Sequence, residues 1–167
     1  MERIALEEAG LLLRSVLATR FIHGIALGDG WTFSFDSGVK LFAQDVTCDH
    51  ENAWNGALAR SPFAVLDGID PEQIAKAIQV VRLMRRVVRD VTVGLDGAAQ
   101  LVFDGGEEVV LTTSTGLVDW QWALSQSDVP YVEDAIGCYS REQVYVDTAH
   151  PLFRDLPGPK LDSGPEE

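Results

Sequence analysis

Five side chains of metal-ligating or proton-transferring type fall between positions 45 and 51: Asp45, Cys48, Asp49, His50 and Glu51. A structural zinc site needs four ligands in tetrahedral reach, usually supplied as two sequence pairs. Cys48 and His50 could form one pair, but His23 and Cys138 show no spacing that makes them the other. The segment therefore reads as a polar loop that holds no metal. Nucleophilic catalysis asks for a nucleophile, a base and an orienting acid. No Gly-x-Ser-x-Gly elbow accompanies the histidines. His23 falls on the polar face of a strand and His150 precedes Pro151 near the end of the chain, so both read as surface residues. The adjacent acids Glu107-Glu108 and Glu133-Asp134 would point to opposite faces of a strand, so neither pair makes the converging carboxylates of a glycosidase. Glycines occur in short turns and form no phosphate-cradling loop. The expectation is a chain without catalytic residues, metal or cofactor.

The remaining chemistry-bearing side chains suit recognition. Trp120 and Trp122 are two apart and share one face of a strand. Trp54 and Trp120 read as core. Trp31 and Trp122, with the acids Glu107, Glu108, Glu133 and Asp134, are the residues offered for a binding surface. Core packing competes for the same tryptophans, because aromatic side chains dominate both settings.

The formal net charge of −13 narrows the partners. Binding nucleic acid means replacing condensed counterions with Lys and Arg, and this chain repels phosphate over most of its surface. Lys76, Arg82, Arg85, Arg86 and Arg89 form one basic segment, which reads as a solvated helix face with salt bridges to the acidic remainder. No stretch approaches the roughly 20 apolar residues needed to span a bilayer. Acids at Glu2, Glu7 and Glu8 do not suit a signal peptide, which points to the cytoplasm. Cys48 and Cys138 read as reduced, buried and inert.

The elements that would position these residues follow from periodicity. Residues 2–18 carry a helical apolar stripe. Three strands follow: one from Phe21 to Leu27, one with the alternating Trp31, Phe33 and Phe35, and one from Val39 to Phe42. Residues 44–53 read as irregular, and Ala64 to Leu66 as a short strand. Asp70-Pro71, with Gln73 three residues after the cap, starts a helix that runs to about Met84. Strands are expected over residues 87–93, 100–103, 108–112, 118–123 and 143–146.

Self-comparison adds an internal repeat. Phe21, Ile22, Ile25 and Leu27 lie beside Val87, Val88, Val91 and Val93 at an offset of 66 residues. Phe35, Asp36 and Gly38 lie beside Phe103, Asp104 and Gly106 at an offset of 68. Trp54, Ala57, Leu58 and Ser61 lie beside Trp120, Ala123, Leu124 and Ser127, again at 66. Pro62-Phe63 then matches Pro130-Tyr131. The fold expected is α+β: duplicated units of a helix plus a three-stranded antiparallel meander, related by a pseudo-twofold axis, with helices packed on antiparallel sheet. Residues 1–153 would form one domain, with units at about 2–70 and 71–146, and residues 154–167 a flexible acidic tail.

With the repeat laid out, the chain resembles small uncharacterised domains from high-GC bacteria. In these a strand, an Asp-Gly turn, a second strand and a Trp-containing segment follow in order. The matching residues are 91–93, Asp104-Gly105-Gly106, 109–111 and Asp119-Trp120-Gln121-Trp122-Ala123-Leu124. Some such domains resemble immunity proteins of toxin systems. The resemblance and the charge together imply a non-catalytic protein-binding domain that meets a basic partner, such as a toxin, through an acidic surface. The alternative is a small-molecule-binding or regulatory domain with an aromatic pocket between the repeats. An enzyme with a dispersed site is a third reading, and a homodimer through a sheet edge or the Arg-rich segment is open.

Overall fold

The computed structural model describes residues 1–60, 70–114, 120–126 and 134–154. Alternation is the main builder. In β3 (Trp31–Phe35) the residues Trp31, Phe33 and Phe35 are buried while Thr32 and Ser34 are half-buried. In β7 (Ala99–Phe103) Ala99, Leu101 and Phe103 do the same against Gln100 and Val102. Period-two side-chain direction puts each apolar set on one sheet face. Each strand ends in an Asp-x-Gly turn whose glycine takes a positive φ, 77° at Gly38 and 84° at Gly106. Both turns close with the same bonds: Phe35 N to Val39 O and Gly38 N to Phe35 O, then Phe103 N to Glu107 O and Gly106 N to Phe103 O. Glycine supplies the left-handed conformation that a side chain would resist.

The result is an α+β fold with helices packed against two antiparallel sheets. β1 (Glu2–Ile4), β2 (Ile22–Leu27), β3, β4 (Lys40–Ala43), β9 (Trp122–Ser125), β10 (Asp134–Ser140) and β11 (Gln143–Val146) form a seven-stranded sheet in the order β1-β11-β10-β9-β4-β3-β2. β5 (Val46–Cys48), β6 (Val88–Val93), β7 and β8 (Glu108–Leu111) form a four-stranded sheet in the order β5-β8-β7-β6. The sheets exchange strands. β9 follows β8 in sequence but pairs with β4, with Ala43 opposite Trp122. β5 follows β4 but pairs with β8, with Val46 opposite Leu111. Gln44 N donates to Gln121 O at 2.8 Å and Thr112 N to Asp45 O at 3.1 Å where the chain crosses between sheets.

Helix α1 (Leu6–Leu17) lies along β6. Gly10 makes that approach possible, since a Cβ there would stand 3.2 Å from Val93 N. The glycine that costs about 1 kcal/mol of helix propensity thus permits close packing. Helix α3 (Pro71–Val81) starts as expected, with Asp70 Oδ1 accepting from Glu72 N at 2.9 Å and Pro71 in the first turn. It ends at Val81 rather than near Met84. Helix α2 (Glu51–Ala59) packs on α3, and the short α4 (Pro151–Arg154) follows β11.

Several expectations are corrected. Residues 2–18 are not one helix: extended backbone at Ala5 separates β1 from α1, and Glu2, Arg3 and Ile4 pair with Val146, Tyr145 and Val144. Residues 44–53 are not irregular but hold β5 and the start of α2. The third repeat match fails in structure, because Trp54 and Leu58 lie on a helix while Trp122 to Ser125 form a strand with every residue buried. The strand expected at 118–123 is β9 at Trp122–Ser125; residues 118 and 119 lie outside the described residues, as do Ala64 to Leu66, Pro62-Phe63, Pro130-Tyr131 and the tail from 155. No helix among the described residues is long and apolar enough to cross a membrane.

Trp122 is fully buried and its Nε1 donates to the Gly97 carbonyl at 2.8 Å, tying the large sheet to the β6–β7 turn. Gly97 has φ +81°, and a Cβ there would meet Glu142 N at 3.0 Å and Cys138 Sγ at 3.2 Å. Trp122→Ala removes that bond and opens a cavity, and it should lower stability by about 3–5 kcal/mol in urea titration. A loss under about 1 kcal/mol would show that the core closes around the gap.

Candidate functional site

The β5–β8 pairing builds a cleft. Cys48 stands opposite Val109, and one step further Asp49 Oδ2 accepts from Glu108 N at 3.1 Å. This brings Cys48, Asp49 and His50 beside the β7–β8 turn, where Gly105 to Val109 form the facing wall. The end of α3 closes the third side with Gln79, Arg82 and Leu83, leaving a cavity of about 200 Å³. His50 has φ 62°, so the chain turns sharply there, and its carbonyl accepts from Ala53 N and Trp54 N to start α2. Gln79 is buried and locks the wall in place. With its amide oriented to satisfy both neighbours, it donates to Asp49 O and accepts from Trp54 Nε1.

The carboxylates of the cleft are held unequally. Glu108 Oε2 accepts from Gln100 Nε2. Glu107 Oε1 lies 3.3 Å from the Arg86 guanidinium, which also reaches Asp104 at 3.7 Å. Glu107 Oε2 is buried without a hydrogen-bond partner and folds over Gly105, where any Cβ would collide with it. A buried acceptor left unpaired costs about 1–3 kcal/mol, and this one is closed off against Gly105 rather than presented to the cavity. The cleft lining thus carries Asp49, Glu107 and Glu108 against the single arginine Arg82.

Beside the cleft, Lys76 is 2% exposed, so the solvated-face part of the reading of the basic segment fails there, while its salt bridges to acids are present at Lys76 and Arg86. Its ammonium donates to Asp45 Oδ1 at 2.8 Å and lies 3.0 Å from Glu72 and 3.9 Å from Glu51. Burial opposes the charge, but the hydrogen bonds to Asp45 and Glu72 outweigh it and hold the ammonium above its ordinary pKa. Burial, reinforced by the charges of Glu51, Asp49 and Asp45 against the opposing pull of Lys76, pushes the Cys48 thiol up to about 12. Burial likewise raises Cys138 to about 11. A thiol so shifted is protonated at neutral pH and is a poor nucleophile. Among the described residues no group of three or more His, Cys, Asp or Glu could hold a metal ion.

The structure unites only part of the expected binding surface. Glu107 and Glu108 line the cleft. Trp31 and Trp122 are 2% and 0% exposed, so they are core residues rather than a platform; their strands turn them inward with Phe33 and Leu124. Asp134 is buried and accepts from Tyr139 Oη at 2.9 Å. Glu133 lies outside the described residues. His23 is exposed, but His150 is buried: its Nδ1 accepts from Leu152 N at 3.2 Å and its ring meets Phe153 edge-on. Cys48, Asp49 and His50, grouped by sequence position, do line the cleft, but their meeting with Gln79, Arg82 and Glu107 comes from strand exchange between distant segments, which spacing did not show. No family model, curated protein or solved structure matches this chain.

Lys76→Met leaves Asp45 and Glu72 without their donor and should cost about 1.5–3 kcal/mol by denaturant titration, with Asp45→Asn in the same chain restoring part of it. A neutral or stabilising Lys76→Met would show that desolvation outweighs the pairing. The thiol and ammonium shifts also set a pH dependence. Each group has a folded pKa above its ordinary value, so its contribution is complete below pH 9.0 for the cysteines and below 10.5 for Lys76. It is lost as pH rises through the folded values. The thermal midpoint should therefore fall on raising the pH past 9, and a thiol reagent at neutral pH should label the native protein far more slowly than the unfolded chain. Cys138 is buried but Cys48 is half-buried, which corrects the reading of both as buried; labelling at equal rates would contradict the raised thiol pKa of both.

Proposed function

We propose that this chain is a non-catalytic protein-binding domain, of the immunity type, that receives a basic side chain of a partner in the β5–β8 cleft. The observation that carries the reading is the cleft lining itself, where the carboxylates of Asp49, Glu107 and Glu108 are gathered on one cavity with Glu107 held from the side by Arg86. An arginine meeting Glu107 and Asp49 would form charge-assisted bonds in a partly desolvated setting. The net charge of −13 would steer a basic protein, such as a toxin, toward it. The burial of Trp31 and Trp122 withdraws support from the reading of an aromatic pocket between repeats.

The finer architecture belongs to the same proposal: the chain is a duplicated α-β-β-β-β unit about a pseudo-twofold axis. Positive φ recurs at Thr19 and Arg85, just after α1 and α3. Phe21 and Val87, partners in the repeat, bridge each other across the two sheets. Under this alignment β5 corresponds to β9, each completing the other unit's sheet. The β5–β8 cleft then corresponds to the gap by Val16, Ser37, Val39 and Gln126, whose wall includes Pro151 and Leu152 of α4. One copy of the cleft meets α4, and the other would be left for a partner.

Affinity for the basic proteins encoded by flanking genes, measured by calorimetry, should weaken roughly tenfold or more between low and high salt. Glu107→Gln with Glu108→Gln should weaken it by about tenfold or more at fixed salt. Binding that ignores both salt and these substitutions, or no binding at all, defeats the proposal.

A further inference from the structure

We propose that a second copy of this chain pairs antiparallel with the outer edge of β2, joining two seven-stranded sheets into one. β2 ends the large sheet. Gly28 N donates to Gly30 O, and Leu27, Ala26 and Ile25 stand opposite Trp31, Thr32 and Phe33. Hydrogen-bonded and non-bonded pairs alternate along such a ladder, so the backbone N–H and C=O of Ile25 and Leu27 point away from β3. Beyond Ile22, whose carbonyl accepts from Arg85 N, no described strand pairs with that side.

Among the described residues, the other sheet ends are protected and this one is not. β1 carries exposed Glu2 and Arg3. β6 carries Arg89 and Asp90 and has α1 along it. β5 is three residues long. β2 reads Ile22, His23, Gly24, Ile25, Ala26, Leu27, with no acid, lysine, arginine or proline, and Leu27 is 53% exposed. Natural sheets blunt edges with those residues, and an edge without them is a template for pairing.

Charge selects a second copy as the occupant. Two chains of charge −13 repel at most surfaces, but not along a strand free of acids. With the twofold axis at Ala26, Ile25 of each copy exchanges both backbone bonds with Leu27 of the other. The same register sets the exposed Asp29 of each copy opposite the exposed His23 of the other. The edge is therefore self-complementary, as an isologous interface requires.

The test is the mass of the full chain by light scattering, with three variants. The wild type should be dimeric. Leu27→Lys, at an exposed position, should be monomeric with an unchanged circular dichroism spectrum, while Leu95→Lys, on a distant 90%-exposed residue, should stay dimeric. Ala26→Cys should form an intermolecular disulfide on oxidation, because directly opposed non-bonded pairs hold Cα atoms about 4.5 Å apart, within disulfide reach. A monomeric wild type overturns the proposal, and so does a dimer that Leu27→Lys leaves intact or that Ala26→Cys cannot cross-link. None of these readouts depends on the acidic cleft.

Discussion

The exchange of β5 and β9 between the two sheets is the constraint on which the rest of the structure depends. A three-stranded meander with one apolar face is barely stable by itself. Here β2-β3-β4 gains β9 as its next strand and β6-β7-β8 gains β5, so each sheet is completed by a segment that follows the other. β9 then lies between β4 and β10 with all four residues buried. Its Trp122 reaches out of its own sheet to the Gly97 carbonyl in the turn of the other. The core is accordingly one cluster, running from Leu13 and Val16 of α1 through Phe33 and Trp122 to Val144. The cleft is a by-product of the same exchange, since pairing β5 with β8 is what carries Asp49 and His50 to the β7–β8 turn.

Charge is distributed around that frame by how many cations are available. Acids outnumber Lys and Arg by 26 to 13, so pairing leaves a surplus. Lys76 is committed to Asp45 and Glu72, and Arg86 to Asp104 and Glu107. The Arg14–Asp90 pair is exposed on both sides and contributes little, as most surface pairs do. The Lys76 cluster differs because its ammonium is out of water while Asp45 and Glu72 remain partly hydrated. That geometry satisfies the cation without burying the acids and limits the desolvation cost of a closed ion pair. The ion pairs of Lys76, to Asp45, Glu51 and Glu72, go to residues outside the cleft lining.

Where local pattern and tertiary environment agree, the sequence is readable. The alternation at 31–35 and 99–103, the Asp-x-Gly turns and the Asp70-Pro71 start all specify backbone through their own side chains. The readings fail where environment decides. Trp54-Asn55-Gly56-Ala57-Leu58 and Trp120-Gln121-Trp122-Ala123-Leu124 share letters at a fixed offset, yet one is helix and the other leads into strand. The first carries Asn55 on a half-exposed surface against α3, while the second lies between two strands in a dry interior where only a ladder satisfies its backbone. β5 is too short to carry a period. Of the candidate site, Glu107 and Glu108 were legible as acids beside a turn, but Asp49, Gln79 and Arg82 join them only through non-local pairing. The tryptophans misled because an aromatic residue on a strand gives no sign of which face is inside.

Both proposed surfaces follow from one property of the acid distribution. An anionic body repels its own kind, so contacts between copies are confined to stretches that carry no acid, and β2 is such a stretch on a sheet edge. The same surplus leaves Asp49, Glu107 and Glu108 together in the lining of one cavity. A basic partner in the proposed cleft would form charge-assisted bonds with these carboxylates. Selectivity of the proposed cleft would then rest on charge, while that of the proposed β2 edge would rest on backbone pairing and the absence of charge.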